Sequence, residues 1–195
     1  MTKKILILLF ILIPIKANAL IEVDITRGNL NPLPLAVSPL SIDEESRKGF
    51  EKILKKENIG SEISNIVENN LRTSGLFNPL DKKAFLQAPD IANLKPRFED
   101  WNLIKAQALI TGKVNYVDDK LRVEFRLWDV LAAKEMMALA FTTVPNNWRR
   151  VGHIISDKVY ERLTGEKGYF DTRIIYVSEE GPKTQRIKKL AIMDQ

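Results

Sequence analysis

The hydrophobic period changes from about 3.6 to 2 at Gln107, and this change constrains the fold more than any other feature of the chain. Ala108, Ile110, Gly112, Val114 and Tyr116 share one parity. Asp118-Asp119 reads as a tight turn, since acidic residues favour turns and water. Leu121, Val123, Phe125 and Leu127 then alternate with Arg122, Glu124, Arg126 and Trp128. A second turn falls near Leu131-Ala132-Ala133, and Glu135–Val144 reads as a third strand. Such a pattern predicts an antiparallel meander with one buried and one wetter face.

Helical signals flank the meander. Trp148, Val151, Ile155, Val159 and Leu163 recur at helical spacing, with Asn146 or Asn147 as N-cap and Thr164-Gly165 as the stop. Ile63, Ile66, Val67, Asn70 and Leu71 make a second stripe within a helix over Ser61–Ser74, ended by Gly75. A short exposed helix starting near Ser41 or Asp43 and another over Phe98–Ala106 are weaker readings. Leu35–Val37 reads as a short strand, and residues 81–96 as loop with a strand at Ala84–Leu86. The expected fold is α+β: a mixed, mostly antiparallel sheet covered by two or three helices. After the Gly165–Gly168 joint, Thr172–Ser178 and Gln185–Met193 read as a hairpin that is marginal unless it packs on something.

The first residues set the expected compartment. Met1-Thr2-Lys3-Lys4 is basic, Ile5 to Ile15 is apolar, and Ala17-Asn18-Ala19 is a small-x-small cleavage pattern. The apolar run is far shorter than the roughly 20 residues of a spanning helix. Cleavage is therefore expected between Ala19 and Leu20, with an uncleaved membrane anchor as the alternative reading. Removing Lys3, Lys4 and Lys16 lowers the formal charge of +5 to +2, which weakens a nucleic-acid reading. The chain has no Cys, which excludes lipidation at the cleavage site, thiolate metal sites and thiol nucleophiles.

Candidate chemistry is sparse. His153 is the sole histidine and has no ligand partner at metal spacing on its helix. Asp118 and Asp119 could pair as acid and base, but they read as a hairpin tip. Trp101, Trp128 and Trp148 read as packing aromatics rather than stacking platforms. Lys55-Lys56, Arg149-Arg150 and Lys188-Lys189 read as solvated pairs. No cofactor, metal or catalytic residue is expected, and no enzymatic activity; a hydrolase built on Asp118, Asp119 or His153 is the weakest reading.

Leu20 to Thr26 (LIEVDIT) alternates Ile21, Val23 and Ile25 with Glu22, Asp24 and Thr26, and Arg27-Gly28 breaks it. A strand at a chain terminus detaches at low cost and can add to a partner's sheet edge. The bland alternative is an ordinary strand of the domain.

Several runs together resemble one family. They are Leu71–Leu80 (LRTSGLFNPL), Phe98–Trp101 with Ala108–Gly112, Arg126–Asp129, Trp148–Arg150, Leu163–Gly165, Gly168–Ile174 and Ile187–Asp194. In this order they are similar to TolB proteins of the periplasmic Tol-Pal system. The resemblance implies a leader over 1–19, an N-terminal α/β domain over 20–167, and the first strands of a β-propeller over 168–195. It implies a periplasmic adaptor that maintains outer-membrane integrity and supports envelope constriction at division by protein–protein binding. It implies that a TolA-like inner-membrane protein binds Leu20, Ile21, Glu22, Val23, Asp24, Ile25, Thr26, Arg27 and Gly28. The family's propeller binds the lipoprotein Pal. Only the start of a propeller is present, so a Pal-like partner is not among the expectations. The rival reading is a periplasmic module of similar fold that binds peptidoglycan or activates a cell-wall synthase.

Overall fold

The structure is a computed structural model that describes residues 21 and 31–194. The leader, and all of the segment 20–28 except Ile21, lie outside the described residues.

Strand β1 (Leu33–Val37) runs parallel to β3 (Phe77–Pro79) on one side and to β4 (Ala108–Val117) on the other. β2 (Ser41–Ile42) pairs with β4 beyond β1. β4, β5 (Lys120–Asp129) and β6 (Lys134–Thr143) form the antiparallel meander, giving the order β3-β1-β4-β5-β6. The sheet is therefore mixed, and its long ladders are the antiparallel ones. The β4–β5 turn places Asp118 and Asp119 at φ of 50° and 58°, the left-handed pair that a two-residue hairpin turn requires.

Helix α1 (Glu44–Leu54) starts at Asp43, whose carboxylate accepts from the Ser46 amide at 2.7 Å. Helix α2 (Ile59–Thr73) starts at Asn58, capped the same way through Ser61. The long helix α5 (Trp148–Thr164) follows a 3-10 turn over Pro145–Asn147 and ends at Gly165 with φ of 76°. Asn147 occupies the cap position, but its side chain does not cap. It donates to Thr143 Oγ1 instead.

α2 and α5 lie side by side on one face of the sheet and bury Ile63, Val67, Leu71, Val151, Ile155 and Val159 against Val123, Phe125 and Leu127. The other face is covered at its β1–β4 end by a second, smaller core around Trp101, Leu109 and Val130. It is supplied by α3 (Pro89–Leu94) and α4 (Phe98–Leu103). The sequence reading of 81–96 as loop with a strand is corrected here. Lys82–Ala84 forms a 3-10 turn with Asp81 as its cap, and Pro89 opens α3 at a first-turn position where its missing N–H costs nothing. Phe77–Pro79, which its sequence does not mark as a strand, joins the sheet as a parallel edge strand. A parallel partner distant in sequence leaves no local period to read.

Among the described residues β7 (Arg173–Glu180) and β8 (Ile187–Asp194) pair only with each other. Ile175, Val177, Leu190 and Ile192 are exposed on one face, and Ile174, Tyr176 and Met193 on the other.

Candidate functional site

Asp129 continues the buried parity of β5 after Leu121, Val123, Phe125 and Leu127, so the strand drives a carboxylate inward at its last position. Only 1% of Asp129 is exposed. A buried carboxylate is costly unless hydrogen-bonded. Its Oδ1 accepts from the Ala132 amide at 2.8 Å, which closes the β5–β6 turn. Its Oδ2 accepts from the backbone amide of Ile21 at 3.3 Å, across 108 positions of sequence. Ile21 also packs, partly buried, against the main core. The start of the predicted partner-binding segment is thus seated on the sheet by one backbone hydrogen bond and one apolar side chain. Leu20 and residues 22–28 lie outside the described residues.

Asp129 was not singled out by the sequence reading as a site residue. The signal was present: it is an acidic residue at an apolar parity of an alternating strand, where the local pattern demands a partner.

The other candidates do not converge. Asp118 and Asp119 sit at the hairpin tip, and Asp119 accepts from the Tyr116 hydroxyl at 2.5 Å. That hydrogen bond raises the Tyr116 pKa from its ordinary value. His153 is buried on α5, far along the chain from both, and its Nδ1 pairs with Asn70 Nδ2 at 2.9 Å. Since Asn70 donates, the neutral ring carries its proton on Nε2. Asn70 also donates to Ser156 Oγ at 2.9 Å. The histidine is thereby built into the α2–α5 contact.

The tryptophans pack. Trp101 is buried and donates to Gln87 Oε1 at 3.1 Å. Trp128 donates to Thr111 Oγ1 at 2.9 Å. Trp148 is buried beneath the cations of Lys56 and Arg149. Among the described residues no group of three His, Asp or Glu side chains could hold a metal ion. No helix among them is long and apolar enough to cross a membrane.

Residues 21–136 match the model of the TolB amino-terminal domain. The Tol-Pal system protein TolB of Pelagibacter ubique (strain HTCC1062) is 85% identical over 190 residues, which is 97% of this chain and 43% of that protein. The crystal structure of TolB from Acinetobacter baumannii superposes with a TM-score of 0.65 at 23% identity, over 84% of this chain and 37% of that one. That likeness supports the fold, and the chain spans less than half the length of either relative. On the match to its amino-terminal domain model, the chain belongs to the TolB family.

Proposed function

We propose that the chain is a periplasmic adaptor of a Tol-Pal system, acting through protein–protein contact. In this reading residues 1–19 are a leader cleaved before Leu20. Residues 20–167 form the adaptor domain, and 168–195 begin a propeller. The segment Leu20–Gly28 engages a TolA-like inner-membrane protein, and the assembly maintains the outer membrane and supports its constriction. Family membership supports the system, and the Pelagibacter relative, a Tol-Pal system protein, points the same way. The apolar faces of β7 and β8, exposed on both sides, support their belonging to a larger sheet.

One observation carries the binding segment: the Ile21 amide rests on the buried carboxylate of Asp129. That bond and the Ile21 side chain hold the start of the segment at the sheet, and a terminal segment that leaves such a seat can add to a partner's sheet edge.

Calorimetry with the C-terminal domain of a TolA protein tests this. The expected result is binding that disappears when Leu20–Gly28 is deleted. Asp129→Asn weakens the seat and is expected to tighten partner binding roughly fivefold or more, because docking and partner binding then compete less. Binding that survives the deletion unchanged refutes the role of the segment. Absence of binding by the intact chain refutes the partner.

A further inference from the structure

Among the described residues the sheet ends on β6, whose far side pairs with no other strand. Its start is blunted. The β5–β6 register shifts between Leu127 and Trp128, and the Met136 carbonyl accepts from Arg162 Nε of α5 at 3.3 Å. From Met137 to Thr143 no described residue protects the edge in a comparable way. Those residues, MALAFTT, carry no charge. Natural edges are ordinarily guarded by charge, proline or a covering element.

The helix layer overhangs this edge. Leu139 and Phe141 point to the helix side, opposite Phe125 and Val123. Leu139 nevertheless remains 37% exposed, and Ile154 of α5 is only half-buried, because no strand lies beneath it. A groove of about 270 Å³ runs there between Phe141 and Thr143 on one side and Val151 and Ile154 on the other. A second groove of about 210 Å³ lies along the opposite face of the same edge, beside Ala138 and Ala140. Its walls are Arg122, Glu124 and Arg126.

An added strand projects successive side chains into these two grooves in turn. The inner groove, which Arg150 also lines while bound to Asp171, takes apolar side chains against Phe141, Val151 and Ile154. On the outer face Lys113, Arg122 and Arg126 stand against the two carboxylates Glu124 and Glu135, which they already pair. The surplus there is cationic. We propose that the β6 edge is a strand-addition site for an extended segment of a partner polypeptide in which apolar and acidic residues alternate. The outer-face cations select the acidic set, and backbone hydrogen bonds to Met137–Thr143 supply affinity. This site is separate from the reading of residues 20–28 as a donor strand and does not depend on it.

The test uses the full chain and a blocked synthetic peptide of alternating valine and glutamate, followed by amide NMR. Shifts confined to Met137–Thr143 and the grooves beside them are expected. N-methylating the peptide along one edge should abolish binding, and methylating the other edge should spare it, since a strand docks by one edge only. A valine–lysine peptide, and the Ala140→Glu variant, should each bind at least roughly tenfold more weakly. Ala140 is exposed, so that variant keeps its fold. Unmoved β6 amides, or equal tolerance of both N-methyl patterns, overturn the proposal. So does a dimer of the chain that Ala140→Glu dissolves, which makes a second copy the occupant. Protection of β6 amides that is lost on deleting Leu20–Gly28 also overturns it, since the chain itself then covers the edge.

Discussion

Asn70 on α2 donates its side-chain amide to Nδ1 of His153 on α5 at 2.9 Å, and both side chains are buried. The two helices are joined by side-chain hydrogen bonding in the midst of an apolar contact. The same amide group reaches Ser156 Oγ, which in turn donates to the Gly152 carbonyl at 2.9 Å. Replacing Asn70 with Ala leaves His153 and Ser156 without this donor inside the core. The expected loss is about 1–3 kcal/mol of unfolding free energy. Urea denaturation of wild type and variant measures it, and a change under a few tenths would contradict the assignment.

Gly112 sits where β4 has no room for a side chain. A methyl group there would meet the Glu124 carbonyl and the Leu40 side chain. Gly112→Ala should therefore overpack the interface between the meander and the segment after β1, at a cost of about 1–3 kcal/mol. A thermal melt distinguishes this from the gain expected of a Gly-to-Ala change in open space.

Asp157 ties the chain after α5 back onto that helix. Its two carboxylate oxygens accept from the amides of Phe170 at 2.6 Å and Asp171 at 3.1 Å. Phe170 is fully buried against Tyr160 and Tyr169. Asp157→Ala removes both acceptors and should cost about 1.5–3 kcal/mol locally. Limited proteolysis between Gly165 and Arg173 should accelerate, while hydrogen exchange in β4 and β5 stays as in wild type.

Glu68 on α2 is partly buried, and that desolvation alone would raise its pKa. Hydrogen bonds and charge from Lys82 and Arg72 outweigh it and hold the pKa below the ordinary 4.5. The carboxylate lies 2.9 Å from Lys82 Nζ and 2.6 Å from Arg72. A depressed folded pKa contributes stability above the unfolded value, and that contribution fades as pH falls through the folded value. Glu68→Gln should therefore cost about 0.5–1 kcal/mol at neutral pH. The gap should close as pH drops below 4.5. A gap that widened in acid would reverse the sign and refute the pairing.

The resemblance stated on residues 71–80, 98–112 and 126–129 agrees with the family match over 21–136. The meander was legible because each of its strands carries its own alternation. α2 and α5 were legible because their stripes are long. The 81–96 segment was not: its short helix α3 is set by one proline, by burial of Ala92 in the cluster around Trp101, and by Gln87, which donates to the Lys95 carbonyl at the helix end, contacts that no local period announces. The strand reading of residues 20–26 rests on the alternation of Ile21, Val23 and Ile25, and the proposed binding role on the family resemblance; the seat of Ile21 on Asp129 was not legible, because the two lie 108 positions apart.

The sequence alone determined the type and order of the main elements, since period, caps and turns are properties of neighbouring residues. Tertiary structure decided which strand borders which, that Phe77–Pro79 joins the sheet, that a second core covers its other face, and that β6 is the last strand of the sheet among the described residues. These outcomes depend on pairings between distant segments, whose free energy comes from burial and backbone hydrogen bonding in the assembled sheet rather than from any stretch of chain on its own.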